Sequence, residues 1–404
     1  MSNQINQRMR GLGEKKSIIR ELFEYAKTVR AKDGADAILD FTIGNPSVGA
    51  PKEVSNALIH LIQTVPPEVL HGYTSAQGDP AVRRAIAEYV KTVYGAPADA
   101  EKIYMTVGAA AALTICLHAL LNPEDEVIVP APYFPEYKVF TEGAGGVLRP
   151  IPSLDKTMQP DIEKIAAAIN EKTKILLLNS PNNPSGAIIE EDALMHLTSL
   201  LEEKSRAYGH AIYLVSDEPY RELAYDGKKV PFVTSYYKNS LVCYSFSKSL
   251  SLAGERIGYV LLNPECENAS EVYAAICGAG RALGYVCAPS LLQHMNPYCL
   301  GKTSEISIYE KNRRLLYEGL LSYGYEAIRP DGAFYLFLKS PDADAYAFLE
   351  RGKAHGLLFV PGDDFGYPGY VRIAYCVPSE TVKKALLRFK ALAKEYNLYI
   401  IVLF

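Results

Sequence analysis

The sequence predicts an α/β protein in which helices cover both faces of a mostly parallel sheet and a smaller α+β domain is attached. Two observations predict this fold. Short apolar segments alternate with segments of helical spacing through the middle of the chain, and this alternation stops past residue 290. The chain of 404 residues is also long enough for two cores.

The predicted strands share a composition, because they are apolar, rich in branched or aromatic residues, and bounded by Gly, Pro, Asn or Asp. Strands of this kind are buried on both faces, as in a parallel sheet. They are 102–108, 125–132, 174–181, 211–219, 240–247 and 256–264. Helical spacing at 161–170 and 190–209 predicts helices that cover the sheet.

The smaller domain is predicted from both ends of the chain. After the last strand of the sheet come a long helix at 304–324, further strand-like pieces, and a closing helix with Ser379 as its N-cap. An amphipathic helix at 17–30 precedes a first strand at 38–44 and can join this domain. The apolar segment 398–404 is too short to span a membrane, so we expect a closing strand there.

Composition and charge exclude several classes of function. With 49% hydrophobic and 22% charged residues, the chain resembles globular rather than disordered proteins. Its net charge of -4 gives no basic field, so neither nucleic acid nor a membrane is an expected partner. Seven scattered cysteines, seven isolated histidines and a polar N-terminus predict a cytoplasmic protein without disulfides, a metal site or a secretory signal.

A lysine at the end of a buried strand is the first candidate for chemistry. Lys248 follows Ser245 and Ser247, and Arg256 comes eight residues later. Lysine rarely lies inside a protein unless it is paired or used chemically, and burial lowers its pKa as a Schiff-base nucleophile requires. A hydroxyl and a guanidinium are groups that bind phosphate. A surface-loop lysine with a structural arginine is the alternative.

A carboxylate at the end of the preceding strand is the second candidate. Asp217, with Tyr220 three residues later, lies one strand-loop-strand step before Lys248. Both ends therefore belong to the carboxyl edge of the sheet, where open α/β folds bind ligands. A buried carboxylate needs a cationic partner, and a protonated pyridine nitrogen is one. The alternative is an N-cap role for Asp217.

Three weaker motifs follow other strands. Asn183 lies in an Asn-Pro turn that turn chemistry alone can explain. Gly108, Ala109 and Ala110 lead into a helix whose N-terminus either binds phosphate or is a plain tight turn. Phe134 either stacks on a ligand ring or belongs to the core. Together these motifs predict one planar, phosphorylated ligand with a basic ring nitrogen and an aldehyde, which is pyridoxal phosphate.

The order and spacing of these motifs resemble the class I/II aminotransferases, the fold type I pyridoxal-phosphate enzymes, and the aspartate aminotransferases among them. The match runs from I-G-N-P-S at 43–47, through the Tyr73 segment, N-P-S-G, D-x-x-Y and S-x-x-K, to Y-V-R-I-A-Y-C at 370–376. The resemblance implies a seven-stranded-type sheet. It also implies a large cofactor-binding domain at 46–289 and a small domain made of 1–45 and 290–404.

The resemblance implies a role for each matching residue. Lys248 would hold the cofactor covalently and, once displaced by the substrate amine, move a proton between the substrate and cofactor carbons. Asp217 would keep the pyridine nitrogen protonated. The other cofactor contacts would be Tyr220 and Asn183 at the phenolic oxygen, Phe134 at the ring, and Gly108, Ala109, Ala110, Ser245, Ser247, Arg256 and a second subunit's Tyr73 at the phosphate.

On the substrate side, the resemblance assigns the α-carboxylate to Arg372, with Gly44 and Asn183 lining the same region. Because Tyr73 acts across the subunit interface in this family, a homodimer with shared sites is implied.

The side-chain specificity is less determined. One branch of the aspartate aminotransferases binds the distal carboxylate with a lysine at the position of Ala110, and another uses an arginine of the partner subunit at the position of Leu283. Arg281 lies two residues from the second position and either replaces that arginine or is a solvated helix-face residue.

The expected function is a pyridoxal-phosphate-dependent aminotransferase that moves an amino group from an L-amino acid to a 2-oxo acid such as 2-oxoglutarate by a ping-pong mechanism. Aspartate-type donors are favoured, and aromatic or broad neutral amino acids are close competitors. Two alternatives share the fold. One is a cysteine-S-conjugate or cystathionine β-lyase, and the other is a non-catalytic cofactor-sensing domain of a regulator, for which residues 1–40 are too short and too weakly basic to bind DNA.

Overall fold

The computed structural model describes residues 5–14 and 17–398. These residues form one seven-stranded sheet with helices on both faces and two smaller sheets, so the predicted α/β class is confirmed. The predicted closing strand at 398–404 lies outside the described residues except for Leu398. Within the described ranges, no helix combines the length and the apolar character needed to cross a membrane.

The strands and helices follow each other along the chain with short connections. The strands are β1 (Leu39–Asp40), β2 (Ile103–Thr106), β3 (Glu126–Ala131), β4 (Val147–Pro152), β5 (Thr173–Asn179), β6 (Tyr213–Asp217), β7 (Ser240–Ser245), β8 (Gly258–Leu262), β9 (Ala327–Ile328), β10 (Tyr335–Lys339), β11 (Leu357–Leu358), β12 (Val360–Pro361) and β13 (Tyr370–Ala374). The helices are α1 (Gln7–Glu14), α2 (Ile18–Asp33), α3 (Lys52–Thr64), α4 (Pro67–Leu70), α5 (Pro80–Tyr94), α6 (Ala109–Leu120), α7 (Glu136–Gly143), α8 (Ile162–Ala168), α9 (Glu191–Tyr208), α10 (Phe246–Ser249), α11 (Ala269–Ala282), α12 (Ser290–Cys299), α13 (Ser307–Ser322), α14 (Ala345–Ala354) and α15 (Ser379–Glu395).

The large sheet has the strand order β2-β8-β7-β6-β5-β3-β4. Only β8 is antiparallel to its neighbours β7 and β2, and the other pairs are parallel. Strand β4 is not among the predicted strands, and it contains two prolines, Pro150 and Pro152. Proline is tolerated in this strand because β4 lies at the edge of the sheet.

Apolar residues cover both faces of the large sheet. Along β5, Ile175 and Leu177 enter the cluster that contains α6 and α11, whereas Leu176 and Leu178 enter the cluster that contains α3, α5 and α9. This alternation follows from the two-residue period of a strand. Because both faces are buried, the strands read as continuous apolar runs. The parallel pairing of β3 to β7 places the carboxyl ends of these strands at one common edge.

The second core is built from both ends of the chain. It contains the antiparallel sheet β12-β13-β10-β9 and a short parallel pair, β1 with β11. Arg388 of α15 stabilises this junction by donating hydrogen bonds to the carbonyl oxygens of Asp36, Ala37 and Gly356. The N-terminal segment is therefore attached to the C-terminal helix.

Two details differ from the sequence analysis. Helix α15 begins at Ser379 itself and its N-cap is Pro378, so the predicted N-cap is wrong; the Ser379 hydroxyl donates to Asn312 Oδ1 at 2.7 Å instead. Helix α12 packs against α3 and α5, burying Leu292 and Met295 in the large core. The division into 46–289 and the two terminal parts stays a prediction, and we propose that the large domain extends through α12.

Candidate active site

A cavity of about 310 Å³ lies at the carboxyl edge of the large sheet, where residues from both ends of the chain close over it. Most of the predicted site residues line it. They are Gly44, Ala109, Ala110, Phe134, Asn183, Asp217, Tyr220, Ser245, Ser247, Lys248, Arg256 and Arg372. The carboxyl ends of parallel strands meet at one edge, which is why residues far apart in sequence converge here.

Lys248 lies in α10, the single helical turn that follows β7. Its Nζ donates a hydrogen bond to the carbonyl oxygen of Gly44 at 2.6 Å. Burial lowers the pKa of Lys248 to about 8; Cys376 opposes this shift, and Arg256 and Arg372 add to it. An amine with this pKa is unprotonated in about a tenth of the molecules at pH 7, far more than an ordinary lysine, and the unprotonated form is the one that a nucleophile or general base requires.

Asp217 ends β6 and is only 5% exposed. Its Oδ2 accepts a hydrogen bond from the Tyr137 hydroxyl at 2.6 Å, whereas its Oδ1 is buried without a partner. Burial raises the pKa of Asp217 to about 7; the hydrogen bond from Tyr137 opposes this, and the charge of Glu218 adds to it. Asp217 is not followed directly by a helix, since the next helical turn begins only at Val233, so the N-cap interpretation is wrong. The unused oxygen calls for a cationic partner in the cavity.

Two residues without a predicted role hold Asp217 in place, Asn179 and Tyr137. Asn179 ends β5 directly opposite Asp217 in the register, donates to the Asp217 carbonyl oxygen at 2.9 Å, and accepts from the Asn183 backbone N–H at 2.7 Å. The strand-end rule that identified Asp217 could have identified Asn179 as well. Tyr137 carries no comparable local signal, because it lies inside α7.

One end of the cavity carries donors suited to a phosphate. The hydroxyls of Ser245 and Ser247 are 2.7 Å apart, and Arg256 Nη1 donates to Ser247 Oγ at 3.2 Å. Helix α6 begins at Ala109, so its first backbone N–H groups are free to bind an anion. Gly108 itself does not line the cavity, but it has φ 90° and a Cβ there would lie 2.6 Å from Arg256 Nη2. The turn therefore leaves room for the guanidinium.

Arg372, on β13 and 2% exposed, lines the same cavity. Its Nη1 donates to Asn183 Oδ1 at 2.9 Å and its Nη2 donates to the carbonyl oxygen of Thr42. The guanidinium lies 4.7 Å from the ring centroid of Tyr335 and 4.8 Å from that of Phe365. Arg372 is thus held rigidly while its Nε stays without a partner. A guanidinium in this state suits a carboxylate.

Tyr335 is a third site residue without a predicted role. It lines the cavity, and its hydroxyl is 2.9 Å from the hydroxyl of Tyr220. A Cβ on Gly44 would overlap the Tyr335 hydroxyl, so only glycine fits at this position. The remaining wall is apolar and includes Ile19, Ile43 and Leu113.

Two predicted residues do not reach the cavity of their own chain. Tyr73 is 98% exposed, and Arg281 is exposed on α11. The roles predicted for them involve a second subunit and stay predictions.

The residues present fit pyridoxal phosphate. Ser245, Ser247 and Arg256 can hold the phosphate, and Lys248 can react with the aldehyde. A protonated ring nitrogen would supply the partner that the buried Asp217 Oδ1 lacks.

Comparisons with known proteins agree with this geometry. The family described as Aminotransferase class I and II matches residues 36–389. The probable aspartate/prephenate aminotransferase of Thermus aquaticus is 32% identical over 390 residues, which is 94% of this chain and 99% of that protein. A solved amino transferase from Eubacterium rectale has a TM-score of 0.96 and 50% identity, covering 98% of this chain and 100% of its own. The aspartate aminotransferase of Thermus thermophilus with maleate has a TM-score of 0.84 and 30% identity, covering 96% and 100%. The chain therefore belongs to the class I and II aminotransferases, which are pyridoxal-phosphate enzymes.

Proposed function

We propose that this aminotransferase takes aspartate-type L-amino acids as donors and a 2-oxo acid such as 2-oxoglutarate as acceptor, in two half-reactions at the cavity described above. The observation that carries the proposal is that Lys248, Asp217 and Arg372 open onto one cavity. The relatives named aspartate/prephenate aminotransferase support the donor.

Each residue has a distinct task in this proposal. Bound pyridoxal phosphate supplies an aldehyde and an electron-accepting ring. Arg372 binds the α-carboxylate of the substrate, and the hydrogen bond from its Nη1 to Asn183 fixes its orientation. Lys248 Nζ removes the proton from the substrate α-carbon and delivers it to the cofactor carbon. A pKa of about 8 suits both accepting and donating this proton. Asp217 stays ionised beside a cationic ring nitrogen.

The wall of the cavity supports a second candidate, a neutral or aromatic donor. Ala110 occupies the place where a lysine would bind a distal carboxylate, and Ile19, Ile43 and Leu113 line the cavity.

If aspartate is the donor, its distal carboxylate must be bound by a residue of the second subunit. We propose Arg281 of the partner subunit for this contact.

A homodimer follows from the same proposal. Tyr73 is nearly fully exposed, and its loop is joined to the segment before α12 by a hydrogen bond from the Cys287 N–H to the Ala76 carbonyl oxygen. Exposed apolar side chains on neighbouring elements extend this surface. They are Ile59, Ile62, Val69, Tyr285, Val286 and Tyr298. Apolar patches of this kind are typical of interfaces, and a second copy would place Tyr73 at the partner's phosphate end.

The test is an absorbance scan of the purified holoenzyme after adding aspartate, tyrosine, alanine or cystathionine separately, without an acceptor. Conversion of the cofactor band to the amino form with aspartate supports the first candidate, and conversion with tyrosine or alanine but not aspartate supports the second. Pyruvate and ammonia released from cystathionine without that conversion would contradict the transaminase assignment. The aminotransferase relatives do not favour the β-lyase alternative, and the family match identifies an enzyme rather than a regulatory domain.

A further inference from the structure

Tyr335 connects the cofactor side of the cavity to the substrate side. Its hydroxyl is 2.9 Å from the Tyr220 hydroxyl, and its ring lies against the Arg372 guanidinium. The residue lies in β10, paired with Ala374 of β13, and is 2% exposed. A side chain anchored in a sheet and buried to this extent has little freedom to move, so it can hold the groups that it contacts in place.

We propose that Tyr335 is a positioning residue whose hydroxyl donates to Tyr220 and thereby strengthens Tyr220 as a hydrogen-bond donor to the bound cofactor, while its ring independently supports Arg372. This inference rests on the proposed function of the cavity, because it assumes that the phenolic oxygen of pyridoxal phosphate lies within reach of Tyr220.

The direction of the hydrogen bond follows from proton counting. A phenol has one proton to donate and an oxygen that can accept. Burial raises the pKa of Tyr220 well above its ordinary value and raises the pKa of Tyr335 to about 12, so both hydroxyls keep their protons. When the Tyr220 hydroxyl donates its hydrogen bond to the cofactor, only the Tyr335 hydroxyl can donate within the pair. A hydroxyl that accepts one hydrogen bond donates a stronger one, because the two bonds polarise each other.

Space around the Tyr335 hydroxyl supports this arrangement. The hydroxyl lies against Gly44, where any side chain would collide with it, and the Gly44 carbonyl oxygen accepts from Lys248. Other titratable or charged groups interact with Tyr220 or Tyr335, directly or through Asp217 and Lys248, and they stay unchanged in the variants below. They are Asp217, Tyr137, Lys248, Arg256, Arg372 and Cys376.

The two contacts of Tyr335 can be separated by substitution. Tyr335→Phe removes the hydroxyl and keeps the ring against Arg372, whereas Tyr335→Leu removes both. Tyr325→Phe is a matched control. Tyr325 is 3% exposed, and its hydroxyl donates a 3.0 Å hydrogen bond to the Phe389 carbonyl oxygen, but Tyr325 does not line the cavity.

The experiment is a pH titration of the bound cofactor's absorbance in each holoenzyme, followed by measurement of KM for an amino acid donor. In Tyr335→Phe we expect the spectral midpoint to rise by roughly half a pH unit, because a weaker donor at Tyr220 stabilises the anionic phenolic oxygen less. KM should stay near the wild-type value. Tyr335→Leu should show the same rise and, in addition, a KM increased about tenfold. Tyr325→Phe should leave both quantities unchanged.

Two results would overturn the inference. One is a Tyr335→Phe midpoint equal to that of the wild type while Tyr220→Phe does shift it, because Tyr335 would then have only a structural role. The other is a lower midpoint in Tyr335→Phe, because the hydrogen bond would then run from Tyr220 to Tyr335. If the wild type and Tyr220→Phe titrate identically, the placement of the cofactor in the proposed function fails instead.

Discussion

Replacing Asp217 by asparagine should stabilise the cofactor-free protein relative to the wild type, and this advantage should grow as the pH rises. Asp217 has a pKa of about 7 in the folded chain and an ordinary value of 3.8. Between these values the folded state binds a proton that the unfolded state has lost, so the free energy of unfolding falls as the pH rises through this window. Above about pH 7 the folded state must hold a buried, unpaired charge, and asparagine removes that charge.

The expected magnitude comes from the same two pKa values. A shift of about three units corresponds to about 4 kcal/mol once the pH exceeds both values. Between pH 5 and pH 8 the penalty grows by about 3 kcal/mol. An amide in this position also has its own pairing cost with Tyr137, but that cost does not depend on pH. It cancels when the difference between variant and wild type at pH 5 is subtracted from the difference at pH 8.

The assay is urea unfolding of the cofactor-free wild type and Asp217→Asn at both pH values. Asp161→Asn is the control, because Asp161 is paired with Lys164, which holds the pKa of this carboxyl below its ordinary value, so Asp161 is ionised throughout this range. For the control, the difference in free energy of unfolding from the wild type should be the same at both pH values. If this difference is also independent of pH for Asp217→Asn, burial does not raise the pKa of Asp217. In the holoenzyme Asp217→Asn should be destabilising instead, because the ionised carboxylate then pairs with the bound cofactor. The variant should lose cofactor affinity and most of its activity.

Three further substitutions test the other groups of the site. Lys248→Ala should leave a folded protein that cannot be fixed to the cofactor by borohydride, and an active, borohydride-resistant variant would refute the role of Lys248. Arg372→Ala should raise KM about a hundredfold for amino acids, which carry an α-carboxylate, and leave simple amines unaffected; unchanged amino acid kinetics would remove Arg372 from the site. Arg281→Ala should selectively reduce activity with dicarboxylic substrates, whereas Arg206→Ala, on another exposed helix face, should not. An unchanged ratio of dicarboxylic to neutral activity in Arg281→Ala would show that Arg281 does not bind the substrate.

The parts of the site that the sequence predicted are those with local signals. Asp217 and Ser245 end β6 and β7, and Asn183 follows β5; a polar residue after an apolar run is visible without knowledge of tertiary contacts. The common edge of parallel strands then places these residues together. The fold class was predictable for the same reason, since the two-sided burial of each strand is visible in its composition.

The parts that the sequence did not predict depend on contacts between distant segments. Tyr137 reaches Asp217 from 80 residues away, and Tyr335 reaches Tyr220 from 115 residues away. Each is one tyrosine among 29. Their spacing carries no period that distinguishes them from core tyrosines. The edge strand β4 was missed for a different reason, because its prolines obscure the strand pattern that its position tolerates.

The pairing of β1 with β11 sets an order of events during synthesis. Leu39 pairs with Leu357, so the first strand waits roughly 15 to 60 seconds at ribosomal speeds of about 5–20 residues per second before its neighbour exists. The large sheet, whose strands lie between Ile103 and Leu262, can assemble in that interval. Helix α2, which brings Ile19 to the cavity, packs in the same core as β1 and therefore also depends on C-terminal residues that are made later. A nascent chain therefore acquires the sheet edge with Asp217 and Lys248 first, and the wall that closes over it is completed only after the C-terminal residues have been made.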